Sequence, residues 1–186
     1  MRVIAGKFRG RPLRAPHGLT TRPTSDRARE AIFQILGNLS ELSVLDLYAG
    51  TGAMGIEALS RGATRAVFVE SDAGAQRALR DNLTKLGITG QATVLETTVE
   101  RAGPRLAKLG PFDLVLADAP WPIAQEAAER VAQLSRGLVA RDGRVLLGHP
   151  TASPVELPPG SGLTLVDRRK WGGTGMSFYE ISSDIN

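Results

Sequence analysis

Three glycines, Gly50, Gly52 and Gly55, follow an apolar segment and match the spacing G-x-G-x-x-G. Glycines allow the backbone to approach a ligand closely, and the N-terminus of the following helix offers unpaired N–H groups. Glu70 lies 20 residues after Gly50, at the end of the next apolar run, where a carboxylate can accept hydrogen bonds from a ribose diol. The loop alone could be a tight strand-to-helix turn. Together with Glu70 it predicts a nucleoside-binding site.

Asp46 lies four residues before the first glycine, beside the predicted crevice. A carboxylate there would repel the pyrophosphate of a dinucleotide but would attract an ammonium group. S-adenosylmethionine carries a ribose, an ammonium group and a sulfonium, and it has no phosphate. The pair Asp46 and Glu70 therefore favours this cofactor, although Asp46 alone also fits an ordinary capped loop acid.

The segment 114–122, LVLADAPWP, places an acid, a proline and a tryptophan directly after an apolar run. Asp118 is the acid, and Ala119, Pro120 and Trp121 follow it. Such side chains at the end of a buried strand are typical of a functional loop. The alternative is a plain turn in which Asp118 caps, the proline follows and Trp121 packs.

Alternating strands and helices must position these groups. Hydrophobic patterning predicts strands at 43–48, 66–70, 92–95, 113–118 and 144–148, and helices at 53–61, 73–86, 99–109 and 123–136. The apolar strands indicate a mostly parallel, doubly wound α/β sheet that is buried on both faces. Two further strands, 163–167 and 176–181, would close the sheet as a hairpin joined by K-W-G-G-T-G.

The N-terminal residues predict a small extension. Short strands at 3–5 and 12–14 suggest a hairpin, and residues 28–36 have the spacing of an amphipathic helix that ends at Gly37. Thr24, Ser25 and Asp26 are candidates for the cap of this helix. We therefore divide the chain into an extension at 1–37 and a catalytic domain at 38–186.

Composition restricts the class of protein. A chain of 186 residues fits one core, and with no cysteine and only two distant histidines we expect no metal site. No apolar run is long enough to cross a membrane, and the basic N-terminus lacks a secretory h-region, so we expect a cytoplasmic protein. Basic residues are frequent in the first thirty positions, which indicates a polyanionic partner or, alternatively, a solvated surface. Among them are Lys7, Arg9, Arg11, Arg14, Arg22, Arg27 and Arg29.

Residues 46–63, DLYAGTGAMGIEALSRGA, resemble motif I of the RsmD family, bacterial methyltransferases that modify N2 of a guanine in 16S rRNA. The likeness extends to RVIAGKFRGRPL and TRPTSDRAREAIF upstream, and to VFVESD, FDLVLADAPW and KWGGT downstream. It thus covers nearly the whole chain in order. It implies a Rossmann-like class I methyltransferase fold with S-adenosyl-L-methionine as cofactor. It also implies a monomer whose partner is 16S rRNA in the 30S subunit, and which binds neither a metal ion nor a membrane.

The resemblance also assigns the loop 118–121. Amino-methylating enzymes of this kind have Asp/Asn/Ser-Pro-Pro-Tyr/Phe there, so Asp118 and the carbonyl of Ala119 would accept hydrogen bonds from the exocyclic amine. Trp121 would stack on a base that has left its helix or is already unpaired. Asp118, Ala119, Pro120 and Trp121 are therefore the expected catalytic residues. The expected cofactor contacts are Asp46, Tyr48, Ala49, Gly50, Gly52, Glu70, Ser71, Thr98 and Asp118, and the expected RNA contacts are Arg9, Arg11, Arg14, Arg22 and Trp121.

The chain departs from the family pattern at three places. Ala119 replaces a proline and keeps the carbonyl, but it loses the fixed φ. Thr98 stands near the position where many relatives have an acid or amide close to the adenine. His149 ends the fifth strand where relatives tend to have Glu, so we expect it to be structural or at the substrate edge rather than a catalytic base.

Other functions remain compatible with parts of the sequence. A DNA adenine-N6 or cytosine-N4 methyltransferase shares the Asp-x-Pro-aromatic loop, but the chain has no separate domain for recognising DNA. An NAD-linked oxidoreductase shares the glycine loop but would need a substrate domain. A non-catalytic RNA-binding protein could retain the same fold, and Ala119 is the feature that suggests it.

Overall fold

The computed structural model describes residues 1–15 and 24–182, and these form five α-helices and seven strands. The helices are α1 (Asp26–Leu36), α2 (Ala53–Ser60), α3 (Ala73–Leu86), α4 (Val99–Leu106) and α5 (Ala124–Leu138). The strands are β1 (Ser43–Leu47), β2 (Arg65–Glu70), β3 (Ala92–Glu96), β4 (Phe112–Ala117), β5 (Val139–Pro150), β6 (Leu163–Trp171) and β7 (Thr174–Ile181).

The seven strands form one sheet in the order β3-β2-β1-β4-β5-β7-β6. The strands from β3 to β5 pair in parallel, and β7 is antiparallel to both β5 and β6. The order reverses at β1, with β2 on one side and β4 on the other. A ligand crevice is expected at this switch point, beyond the carboxyl ends of the strands.

Each face of the sheet is covered by an apolar core. One core includes Ile32 and Phe33 of α1 with Phe68 of β2, and the other includes Leu106 of α4 and Val131 of α5 with Phe112 of β4. Every residue of β1 is buried, which is the pattern of a central parallel strand. The prediction of a mostly parallel, doubly wound sheet with a C-terminal hairpin is confirmed.

The element bounds differ most from the prediction in three places. Strand β5 begins at Val139, because its first residues pair with Phe112 before an irregularity in the register. The C-terminal hairpin is longer than expected, since Lys170 and Trp171 belong to β6 and only Gly172 and Gly173 form the turn. Helix α4 ends at Leu106 rather than at residue 109.

The N-terminal segment is held on α2 rather than built as a full hairpin. A single antiparallel bridge joins Arg2 and Pro12. The Glu57 carboxylate accepts from the amides of Ile4 and Ala5 at 2.7 and 3.0 Å, and the Ser60 hydroxyl accepts from the amide of Phe8 at 3.0 Å. The segment is therefore fixed by side chains of α2.

Helix α1 begins and ends as its sequence predicts. Ser25 is its N-cap, accepting from the amide of Ala28 at 3.2 Å, and Gly37 with a φ of 72° ends it. Arg29, counted among the basic residues of the N-terminus, is instead buried between Asp26 and Glu57. It therefore belongs to the core and not to a basic surface.

Within residues 1–15 and 24–182, no helix combines the length and the apolar character that crossing a membrane requires. Arg22, predicted to contact RNA, and His17 fall outside these ranges.

Candidate active site

A cleft of about 760 Å³ lies at the carboxyl ends of β1, β2 and β4, a volume that suits a cofactor. Its wall includes most of the residues that the sequence selected for chemistry. These are Asp46, Tyr48, Ala49, Gly50, Glu70, Ser71, Thr98, Asp118, Ala119, Pro120 and Trp121. Distant parts of the chain thus meet at the switch point of the sheet.

The three glycines of the loop have different roles. Gly50 has a φ of 56°, and a Cβ there would meet nothing within 4 Å, so this backbone is open to a ligand. Gly52 has a φ of 79°, and a Cβ there would run into the side chain of Leu79. A Cβ on Gly55 would collide with the Phe68 ring and would lie 3.0 Å from Asp46 Oδ2. Gly52 and Gly55 therefore permit close packing, and a cofactor contact of Gly52 stays a prediction.

Glu70 organises the loop as well as facing the cleft. Its Oε2 accepts from the amide of Gly50 at 2.7 Å, and its Oε1 accepts from the amides of Ser71 and Asp72 at 2.8 and 2.7 Å. A carboxylate offers about four lone-pair sites, so three amide bonds leave acceptor capacity for a ligand hydroxyl. The carboxylate is therefore fixed before a ligand arrives.

Asp46 is a buried acid whose side chain is only 2% exposed. Its Oδ2 accepts from the amide of Gly55 at 2.8 Å. Burial raises the pKa of Asp46 well above its ordinary value; the Gly55 amide opposes this, while the charges of Asp118 and Glu70 add to it. Among residues 1–15 and 24–182, no cation forms an ion pair with Asp46, so a cationic ligand would complete its environment.

Asp118 lies just beyond the end of β4 and is partly buried. The Thr24 hydroxyl donates a hydrogen bond to its Oδ2. Burial raises the pKa of Asp118, whereas the hydrogen bond from Thr24 lowers it. The carboxyl is thus oriented by a residue that precedes α1.

The rest of the loop presents backbone and an aromatic ring. Ala119 is buried, while Trp121 is 42% exposed and begins a short 3₁₀ turn, Trp121–Ile123. A Cβ on Gly173 would lie 3.4 Å from the Trp121 ring, so that ring sits over the backbone of the β6–β7 turn. One edge of the ring is supported, and much of it is free to contact a flat ligand.

His149 is integrated into the sheet. Its Nδ1 donates to the carbonyl oxygen of Pro150 at 2.9 Å, so its Nε2 accepts from the Ser177 hydroxyl at 3.0 Å. The Ser177 oxygen in turn accepts from Arg168 Nε at 3.0 Å. Burial lowers the pKa of His149, which favours this neutral, fully bonded ring. These bonds support the prediction of a structural histidine.

Of the predicted RNA contacts, Trp121 lines the cleft, whereas Arg9, Arg11 and Arg14 do not. Arg9, Arg11 and Arg14 are exposed on the N-terminal segment. Arg14 is also tied to α3, since its side chain pairs with Asp81 at 2.8 Å and its amide donates to Asn82 at 2.7 Å. Their role in binding RNA stays a prediction.

The sequence did not single out three residues that shape the site: Thr24, Arg29 and Gly148. Thr24 and Arg29 line the cleft, and a Cβ on Gly148 would collide with Asp118. From the T-R-P-T-S-D segment, the sequence predicts for Thr24 only a role as a helix cap. Across the described part of the chain, no group of three His, Cys, Asp or Glu side chains is arranged to hold a metal ion.

The strand order and the cleft at its switch point define a Rossmann-like methyltransferase fold. A family model described as "Conserved hypothetical protein 95" matches residues 1–180. The chain therefore belongs to this family, the RsmD family.

Relatives and a solved structure agree with this membership. The chain is 36% identical to YlbH of Bacillus subtilis over 97% of this chain and 98% of that one. It is 39% identical to the ribosomal RNA small subunit methyltransferase D of Escherichia coli K12. That match covers 65% of this chain and 60% of the relative, which is less than two thirds of the relative's length. The solved structure of yhhF from Escherichia coli superposes with a TM-score of 0.80 at 30% identity, covering 99% of both chains.

Proposed function

We propose that the protein transfers a methyl group from S-adenosylmethionine to the exocyclic N2 of a guanine in 16S rRNA, in an assembled or assembling 30S subunit. The observation that carries the proposal is the convergence of Asp46, Glu70 and Asp118 on one cleft. The first two suit the ammonium and ribose of this cofactor. The third begins a loop that suits a planar amine.

The cleft fits the cofactor in charge as well as in volume. Asp46 is a buried acid and would gain a cation by holding the ammonium group. Glu70 is held by three amides and would accept from the ribose hydroxyls, and Gly50 leaves its backbone uncovered. When bound, the cofactor supplies an electrophilic methyl group on a sulfonium.

The loop 118–121 orients the acceptor base. An exocyclic amine is a weak nucleophile, because its lone pair is delocalised into the ring. Asp118 and the carbonyl of Ala119 would each accept a hydrogen bond from one N–H of the amine. These two bonds would direct the lone pair and stabilise the charge that develops on nitrogen. Trp121 would stack on the base. The extra proton passes to Asp118 or to water, so His149 is not needed as a base.

Methylation of small-subunit particles tests the function. Unmodified 30S particles, purified 16S rRNA and duplex DNA would each be incubated with the protein and labelled S-adenosylmethionine, and modified RNA would be mapped by mass spectrometry. We expect one methylated guanine N2 in the particle. Label in DNA alone would identify a DNA amino-methyltransferase, and binding of RNA without label would identify a non-catalytic RNA-binding protein.

Glu70→Ala should weaken binding of S-adenosylhomocysteine by about 1–3 kcal/mol, the cost of an unpaired polar contact. The three amides that Glu70 holds would also lose their acceptor, so the loop should become less ordered. Calorimetry measures the affinity. Glu96→Ala is a matched control, because Glu96 ends the neighbouring strand at the paired position but binds Arg80. Equal affinity of Glu70→Ala and the native protein would refute the ribose assignment.

The exposed cations of the N-terminal segment should contribute to RNA binding. In a variant with Arg9→Ala and Arg11→Ala, we expect weaker binding and a shallower salt dependence, by roughly one unit of slope per lost phosphate contact. Affinity for S-adenosylhomocysteine should not change. Arg105→Ala with Lys108→Ala is the control, because these exposed cations lie at the end of α4 on the opposite face of the sheet. An unchanged salt slope would make Arg9 and Arg11 ordinary solvated surface.

A further inference from the structure

The Asp118 carboxylate is constrained by two residues from distant parts of the chain. Thr24 precedes α1, and its hydroxyl donates to Asp118 Oδ2. Gly148 lies near the end of β5, which pairs in parallel with β4 up to Ala117 and Leu147. Asp118 and Gly148 thus directly follow the last residue pair of the two strands, and Asp118 lines the cleft.

The backbone of Gly148 leaves space that the carboxylate fills. A Cβ at this position would collide with Asp118 Oδ1 and would lie 3.0 Å from its Cγ and 3.2 Å from its Cα. The Cα belongs to the backbone directly after β4 and cannot move freely, so the side chain of Asp118 would have to turn away. Gly148 does not have a positive φ, so the need for glycine here is one of space and not of backbone conformation.

Thr24 has no competing role as a helix cap. Ser25 provides the cap of α1 by accepting from the amide of Ala28, which leaves the Thr24 hydroxyl for Asp118. Thr24 also lines the cleft. Its hydroxyl therefore connects the N-terminal extension directly to the loop that would hold the amine.

We propose that Thr24 and Gly148 are positioning residues that fix the Asp118 carboxylate in the rotamer required for accepting the substrate amine. Thr24 donates a hydrogen bond to Oδ2 of Asp118, and the absence of a side chain at Gly148 leaves room for Oδ1 next to β5. This inference rests on the proposed methyl transfer to an amine. It adds that Asp118, the acid that would bind the amine, is positioned both by Thr24 of the N-terminal extension and by Gly148 of the sheet.

The groups around Asp118 make the role of Thr24 measurable. The charged or titratable groups that act on it are Asp46 from β1 and His149 from β5. Burial raises the pKa of Asp118, and the hydrogen bond from Thr24 lowers it. Loss of the Thr24 hydroxyl should therefore raise this pKa. If Asp118 acts as a carboxylate, the acidic limb of the rate profile should shift to higher pH.

Thr24→Val, which removes the hydroxyl with little change of shape, should lower kcat about tenfold and shift the acidic limb of its pH profile upward. Thr24→Ser keeps a hydroxyl and should restore most of the rate and the original profile. Gly148→Ala should lower kcat by about tenfold or more, because Asp118 leaves its rotamer. Binding of S-adenosylhomocysteine should stay at the native level in all three, which excludes misfolding.

A measurement independent of catalysis separates this inference from the proposed function. Carbon-13 NMR of the Asp118 carboxyl should show a higher pKa in Thr24→Val than in the native protein or Thr24→Ser. If the native protein methylates no RNA, the proposed function fails and the NMR titration still tests the hold of Thr24 on Asp118. Native kcat in Thr24→Val and Gly148→Ala, or an unshifted titration in Thr24→Val, would overturn the positioning role.

Discussion

Asp118→Ala should lower methyl transfer to 30S particles about 10²-fold or more, the scale for removal of one pre-organised polar group. The carboxylate lines the cleft and accepts a hydrogen bond from the Thr24 hydroxyl, and it would accept another from the amine. Its loss would leave the carbonyl of Ala119 as a single acceptor. The lone pair of the amine would then be poorly directed, and charge on nitrogen would be less stabilised.

Single-turnover methylation with saturating cofactor measures this effect on the chemical step. Affinity for S-adenosylhomocysteine should be nearly unchanged, because Asp46 and Glu70 are retained. Asp118→Asn keeps one acceptor oxygen of similar position and should retain more activity than alanine, although it cannot take up a proton. Asp118→Ala with the full native rate would remove the loop 118–121 from the mechanism.

The sequence was sufficient for the fold and for most of the cleft, because both follow from local patterns. Buried parallel strands are continuous apolar runs, and their carboxyl ends must meet at one edge of the sheet. Asp46, Glu70 and Asp118 each follow or end such a run, so their convergence could be predicted. The class of cofactor followed from their charge.

Features that depend on tertiary packing could not be predicted. Thr24 and Asp118 are separated by 94 positions, and nothing local distinguishes a threonine that caps a helix from one that reaches another loop. Arg29 looked like a member of a basic surface, yet its partners Asp26 and Glu57 make it part of the core. The glycine signature was also ambiguous, because it does not separate Gly50, which is open to the cleft, from Gly52, which packs against α3.

Asp46→Asn should weaken binding of S-adenosylhomocysteine by about 1.5–3 kcal/mol, the range for hydrogen bonds to charged groups, or roughly 10- to 150-fold. An asparagine oxygen can still accept from the amide of Gly55, so the loop should keep its shape. The lost interaction is the one between the buried carboxylate and the ammonium group. Calorimetry near neutral pH measures it.

The direction of the pH dependence provides the decisive check. Burial raises the pKa of Asp46, so between about pH 4 and this raised pKa the folded protein without ligand holds more protons than the unfolded chain. Its stability should therefore fall as pH rises through this window. Asp46→Asn has no buried carboxyl to ionise, so it does not lose this stability. It should therefore melt at a higher temperature than the native protein when no ligand is present.

With S-adenosylhomocysteine bound, the native protein should melt higher than Asp46→Asn, because the ammonium group of the ligand binds the ionised carboxylate. At lower pH the Asp46 carboxyl is protonated, so binding of the ligand must first release that proton. Native affinity should thus increase as pH rises toward the raised pKa of Asp46, and the asparagine variant should lose this component. Asp118 and Glu70, whose charges also act on Asp46, are present in both proteins, so the difference between the two profiles isolates Asp46. Parallel profiles and equal affinities in the two proteins would show that Asp46 holds no ammonium group.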